Sequence, residues 1–425
     1  MTWRLHLAGL VALAGYGFLA WQANSAEARP ALAIALVCGW VGLGLGAWRV
    51  AESVQARWIV VGWAVLFRLL GVGTEPSWED DYHRYLWDGY QMMETGNPYA
   101  RAPLEFFGMD SPIPPAAAAA LDGINHPDFK TIYGPIAQIV FGVAAWLGLG
   151  SLGVLKLGLV VIEGLGWWVA RGVLRWRGWI LVWWCPLAVT ETAFAGHPDA
   201  IGVAGLAVIL ATWKYGQAAG SAVSGVFSAA VKPWGWVIAP FVVDRFGWKS
   251  AGAMLASVLA IYGWFLMQGS GAEWPALVAM SQRFEYNSTG FALLGFFLPD
   301  EWARRVSFGL TVGFAGWMWL RWRQGDRTLW PPIALILGVA FWWAPVVNPW
   351  YALWLLPSLA VRPSGWGVGV LVAIPLAYTH GWGQDAGGAV VSYVHPWWTR
   401  PAEVGLVIAI AVGAAWWRRS DAARQ

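Results

Sequence analysis

Trp78-Glu-Asp-Asp-Tyr-His-Arg-Tyr-Leu-Trp-Asp-Gly-Tyr-Gln-Met-Met-Glu-Thr-Gly-Asn-Pro-Tyr99 is the stretch on which the reading of this chain turns. It holds Glu79, Asp80, Asp81, Asp88 and Glu94, five of the 24 acidic residues in the chain. It follows a long apolar region. Charge against hydrocarbon is unfavourable, so an acidic cluster in such a chain marks a functional site. The period predicts a helix with Trp78, Tyr82, Tyr85, Leu86 and Met93 on one face and Asp81, Arg84, Asp88 and Gln91 on the other. Gly96, followed by Asn97-Pro98, is its expected stop. An amphipathic helix of this kind lies along a membrane surface, its polar face turned to a cavity.

Composition supports a membrane setting. The 425 residues are 58% hydrophobic and 12% charged, with a mean hydropathy of +0.51. Soluble domains carry about 25% charged residues. Apolar runs of spanning length recur from end to end, without the alternation of an outer-membrane barrel. Many of the 36 Trp stand at the ends of these runs, as interfacial rings do. The net charge of +3 is spread over short loops and reads as topology, with no nucleic-acid partner implied. Cys38 and Cys185 lie inside apolar runs and read as small hydrophobes, not a disulfide or metal pair. Residues 1–28 have features of a signal peptide, Arg4 before an apolar run and Ala26-Glu27-Ala28 after it, but a first membrane helix is the expectation adopted.

The expected segments are 5–21, 31–48 and 58–73, with Arg4, Arg49 and Arg57 on the cytoplasmic side. Residues 74–132 then form a large outer loop. After the surface helix, Pro112–Pro115 breaks the chain, 116–121 is a short helix, and Asn125-His126-Pro127 begins the return. Segments 133–149, 152–170 and 179–193 follow. Arg171, Arg175 and Arg177 place the 171–178 loop inside, which works only if 133–149 is re-entrant or tilted at the outer face. Residues 220–231 and 234–243 look like a broken helix pair meeting at Lys232-Pro233. Later segments are 198–213, 250–267, 304–320, 331–347, 351–361, 365–379 and 402–417, ending at Arg418-Arg419. The expected fold is a single all-α polytopic membrane domain over 1–425, with N-terminal spans in 1–73, the outer loop at 74–132 and further spans in 133–425, about 13–15 transmembrane helices in all.

This topology puts the unusual polar residues on one side: Asp80, Asp81, Tyr133, Glu191, His197, Asp199, Lys232, Arg283, Glu285, Asn348, Tyr351, His380 and Asp385. Each has a structural alternative. Asp80-Asp81 suits a helix N-terminus, and Asp199 suits a first-turn position after His197-Pro198. Lys232, mid-membrane at a helix break, either meets a lipid phosphate or pairs with Glu191 or Asp199. Arg283 fits a headgroup-level loop, and Trp350 and Tyr351 an aromatic belt. There is no phosphate-binding glycine loop, no His-Glu-x-x-His and no soluble nucleotide-binding domain. A transfer reaction outside the cytoplasm would therefore draw on a lipid-linked donor.

The sequence resembles the GT-C superfamily of integral-membrane glycosyltransferases, most of all its bacterial mannosyltransferase-like members. The match rests on Glu79–Gly89 with Gly96-Asn-Pro-Tyr99, Tyr133-Gly-Pro135, Glu191 with Gly196-His-Pro-Asp199, and Lys232-Pro233; Asn348-Pro-Trp-Tyr351 with Pro357 is a weaker fifth. Relatives commonly have Tyr-Pro-Pro where this chain has Tyr133-Gly-Pro135. The resemblance implies a polyprenyl-phosphate sugar donor, a glycan, lipid or protein acceptor, inversion in a single displacement, and an active site on the outer face of the bacterial cytoplasmic membrane. It also implies an acidic catalytic residue in the first outer loop, here Asp81 with Asp80 as runner-up. Asp81 would act as general base, and Lys232, Arg84 or Arg283 would stabilise the leaving phosphate. A divalent metal ion, Mg2+ or Mn2+, held by acidic residues is an alternative source of that charge. Substrate-binding candidates are Glu79, His83, Arg84, Tyr85, Asp88, Tyr133, Glu191, His197, Asp199, Lys232, Arg283, Asn348 and Tyr351. A transporter or lipid flippase is the rival: it would account for the spans and the broken pair at Lys232, but not for an acid-rich outer loop.

Overall fold

The computed structural model describes residues 2–25, 27–47, 50–76, 78–108, 113–380 and 394–422. Asp385, expected on the same side as the other polar residues, lies outside them. The described chain is helical throughout, its one β-contact an isolated parallel bridge between Tyr286 and Val346. Among the described residues seven helical stretches are long and apolar enough to cross a membrane: Trp3–Gln22, Ala28–Gly46, Val54–Val72, Leu152–Ala170, Trp176–Ala195, Trp248–Met267 and Thr399–Trp416. Five more apolar helices, Pro135–Leu147, Ala218–Ala229, Ile333–Trp343, Pro349–Val361 and Gly365–Thr379, have 10–17 residues. Several of the expected segments are short because proline bounds or interrupts them, and Asp300–Arg323, although 24 residues long, is not apolar enough to be counted.

Helices α1 (Trp3–Gln22) and α2 (Ala28–Ala47) pack along each other. Small residues permit this: a Cβ on Gly42 would come within 2.7 Å of the Ala8 carbonyl oxygen. Helix α3 (Val54–Val72) starts at Ser53, whose side chain accepts from the Ala56 amide. Their outward faces carry exposed Leu7, Leu10, Val37, Val41 and Leu69. From residue 178 to residue 195, by contrast, the stretch Trp176–Ala195 is buried throughout.

The acidic stretch forms helix α4 (Asp81–Thr95). It stops where the sequence says: Gly96 has φ +67°, and its N–H donates to the Met92 carbonyl. It starts later than expected: Trp78 lies before the helix and is buried in the main hydrophobic core. Helix α5 (Pro115–Asp122) packs against α4, and so does α6 (Pro135–Leu147); both open on proline at the first turn. At 13 residues, α6 rises roughly 20 Å, short of the ~30 Å hydrocarbon core. Helix α7 (Leu152–Ala170) follows and packs against Asp199–Lys214.

Two irregular segments interrupt the helices. Cys185 leaves the helical region ahead of Pro186, and residues Thr190–Ala195 then wind as a single π-helical turn closed by Gly196 at φ +82°. The expected break at Lys232 is present: Ala218–Ala229 ends, Lys232 is extended at φ −148°, and Pro233–Ile238 restarts as a 3-10 turn.

Candidate active site

These breaks converge on one cavity of about 540 Å³. Its acidic side is Glu79, Asp80 and Asp81, at the start of α4. Opposite stand Lys232, Asn348, Trp350 and Tyr351, from the broken helix and the Pro349–Leu355 turn. Tyr133 lies between, and Met280, Phe284 and Val346 make an apolar wall. The Tyr286–Val346 bridge holds that wall in place, with the Tyr286 amide donating to Pro345 and the Val347 amide to Tyr286, each at 2.9 Å.

Asp81 accepts from two tyrosines. Its Oδ2 accepts from the Tyr133 hydroxyl at 3.3 Å and, more weakly, from Tyr85 at 3.4 Å. Burial pushes its carboxyl up to about 6, Asp80 adds to this, and Lys232 and the two tyrosine hydroxyls oppose it. Glu79 is driven well above the usual carboxylate range by burial first, then by Asp81, Asp80 and Glu191. Asp80 is at the exposed rim, held by the Asn125 side-chain amide at 2.8 Å.

Lys232 is buried, at 7% exposure, with its Nζ 2.6 Å from Asp199 Oδ2. The other Asp199 oxygen accepts from Trp354 Nε1, also at 2.6 Å. The ammonium stands over the Tyr351 ring at 4.9 Å and the Tyr133 ring at 5.6 Å. Of the two roles open to Lys232 in the sequence, pairing with Asp199 is therefore present, and the same ammonium still faces the cavity. Below it, His197 stacks on Trp350 with centroids 3.7 Å apart and planes at 18°. Glu191 accepts from the Tyr378 hydroxyl at 2.8 Å.

Glu79, Asp80, Asp81, Arg84, Tyr133, Lys232, Asn348 and Tyr351 thus line the cavity, with Glu285 and His380. Glu191, His197 and Asp199 lie beneath it, each at 0–1% exposure. Four expectations need correction. Arg283 is an exposed residue over the Phe129 ring, outside the cavity. His83 is half-buried and stacks on Tyr82, away from it. Tyr85 does not line the cavity; its hydroxyl reaches Asp81 and Tyr133, and its ring packs edge-on against Tyr133 and His197. The polar face of α4 does not all meet the cavity: Asp88 is buried between Arg84 and the Gln138 amide, both at 3.0 Å, and Gln91 is buried too. This is because α6 lies along that face and covers it from Tyr85 onward. Arg84 is correspondingly occupied by Asp88 and by the Phe129 carbonyl.

The sequence pointed to none of Arg29, Trp354 and Tyr378. Arg29, at the start of α2, lines the cavity and donates to the His380 carbonyl at 2.8 Å. Trp354 and Tyr378 orient Asp199 and Glu191 from within apolar runs, where an aromatic residue carries no distinguishing signal. Comparison with protein-family models, with curated proteins and with solved structures gives no match to this chain.

Proposed function

We propose that this helical membrane protein is a GT-C-like glycosyltransferase that moves a sugar, mannose or another hexose or pentose, from a polyprenyl phosphate to an acceptor hydroxyl at the outer face of the bacterial cytoplasmic membrane. The observation that carries this reading is that Asp81 and Lys232 line one cavity and both contact Tyr133, Asp81 at its hydroxyl and Lys232 over its ring. A displacement at the anomeric carbon needs those two groups on opposite sides of the sugar. The acceptor oxygen forms the new bond while its proton passes to the Asp81 carboxylate. The glycosyl–phosphate bond breaks, and its electron pair leaves on the lipid phosphate, whose charge Lys232 offsets. Trp350 and Tyr351 offer apolar faces on which a sugar ring packs, and Met280, Phe284 and Val346 suit the first isoprene units. Asp199 fixes the position of the Lys232 ammonium.

The test uses purified full-length protein, radiolabelled polyprenyl-phosphate sugars and membrane acceptors. Asp81→Asn is expected to lose roughly 10²–10⁴-fold in transfer rate. Full transfer by that variant would remove Asp81 as the base. No transfer from any lipid-linked donor, together with solute flux in liposomes, would turn the reading to a transporter.

A further inference from the structure

The cavity floor brings together three side chains that the transfer reaction does not need as a group. The ligand atoms of Glu79, Asp81 and His197 all lie within 4.8 Å of one another. Two of them sit at the start of α4, and the third follows the π-turn and Gly196, so the grouping exists only because these two irregular segments meet.

His197 is the informative member. It is fully buried, and neither ring nitrogen has a hydrogen-bond partner among the described residues. An unsatisfied buried polar group is destabilising. The ring is not free to turn away, because it is pressed flat on Trp350. Its Nδ1 is 3.0 Å from Glu191 Oε2, off the direction a hydrogen bond needs, and the Tyr378 hydroxyl holds Glu191 there. With Nδ1 on the Glu191 side, Nε2 is left for the carboxylates.

The buried cation beside the set is already engaged. Lys232 is engaged by Asp199, whose second oxygen is taken by Trp354. Neither Glu79 nor Asp81 makes an ion pair among the described residues. Two neighbouring carboxylates and a neutral imidazole without a partner form a set that a single cation would satisfy at once.

We propose that Glu79, Asp81 and His197 bind a divalent transition-metal ion, Mn2+ or Zn2+. The class follows from the donors: imidazole nitrogen with two carboxylates suits these ions, whereas Mg2+ and Ca2+ favour oxygen alone. Bonds of ~2.0–2.2 Å put ligand atoms roughly 3–3.5 Å apart, so small side-chain rotations close the set. Glu191 takes the place of the carboxylate that orients a metal-bound histidine from behind. The remaining coordination positions open to the cavity, where water or a phosphate oxygen fits. Ligation through one Asp81 oxygen leaves the other to accept from Tyr133 or from an acceptor hydroxyl. The site stands independently of whether the cavity transfers a sugar.

The test is binding, with no donor or acceptor present. Full-length protein in detergent, stripped with EDTA, is titrated with Mn2+ by electron paramagnetic resonance, and Zn2+ is scored by its displacement of Mn2+. One ion per chain is expected, with Glu79→Gln and His197→Ala each weakening it ~10–100-fold and Asp122→Asn, an exposed acid, leaving it unchanged. Absence of stoichiometric binding of both ions, or equal binding by wild type and Glu79→Gln, overturns the site. If His197→Ala fails to fold, Glu79→Gln at the partly exposed rim decides. Displacement of Mn2+ by equimolar Mg2+ overturns the transition-metal assignment. A chain that binds Mn2+ but transfers no sugar refutes the glycosyltransferase reading alone; one that transfers sugar but binds neither ion refutes this site alone.

Discussion

Gly134 shows how one residue sets the geometry of the cavity. A Cβ there would stand 2.3 Å from the Ala230 carbonyl oxygen. Its own N–H donates to Val231 at 3.2 Å, and the Ile136 amide to Ala230 at 3.0 Å. The start of α6 is thereby docked on the chain just before Lys232, and Tyr133 is fixed beside Asp81. Proline at this position, as in the related pattern, would have neither the amide to donate nor the space. Gly134→Ala is expected to destabilise the protein by ~1–3 kcal/mol through overpacking, seen as a lower midpoint of thermal unfolding in detergent. An unchanged midpoint would show that the backbone there yields freely. The glycine is visible in the sequence; its reason is not, since the atom it makes room for lies 96 residues on.

Among the elements, α3 and α7 are joined by a buried ion pair that the apolar runs concealed. Arg68 donates to both Glu163 oxygens, at 2.9 and 3.0 Å, and to the Trp183 carbonyl at 2.9 Å. Both side chains are 3% exposed. Nearby, Lys156 on α7 donates to the Gly71 and Thr74 carbonyls at the end of α3, where a cation is favoured. A charge inside an apolar helix is tolerable here because its partner is on a packed neighbour. Arg68→Met or Glu163→Gln alone is expected to cost about 3–5 kcal/mol, as one charge is left without its partner. The double change Arg68→Met/Glu163→Gln should cost clearly less than the sum of the single changes, measured by denaturant titration of the purified protein. Strict additivity would show that the two residues are not coupled.

At the scale of the molecule, one stretch buried from residue 178 to residue 195 is wrapped by longer and shorter helices, and several of the short ones border the cavity. The expectation from the sequence is that residues 133–149, which hold the 13-residue α6, do not fully cross the membrane. Asp122→Cys and Arg175→Cys, each in a chain with Cys38→Ala and Cys185→Ala, are then expected to react with a membrane-impermeant reagent from opposite sides of the membrane. Reaction from the same side would mean that α6, or the segment after it, crosses differently.

The sequence alone determined the membrane class, the helical fold, the acidic stretch with its Gly96 stop, and the break at Lys232-Pro233. These are local properties: hydropathy over about 20 residues, a period of 3.6, and the backbone limits of glycine and proline. It also brought forward Asp81, Lys232, His197 and Asp199 as unusual for their surroundings. Only the tertiary structure decided which of them meet. Lys232 joins Asp199 across 33 residues, Arg68 joins Glu163 across 95, and Trp354 reaches Asp199 across 155. Those pairings depend on how helices cross and where small residues let them approach, and residue periodicity within a single helix carries no record of its neighbour. For the same reason the sequence left Arg283 open between site cation and surface loop, and His197 between helix start and substrate pocket; in the fold Arg283 is exposed and His197 is a buried imidazole near two carboxylates.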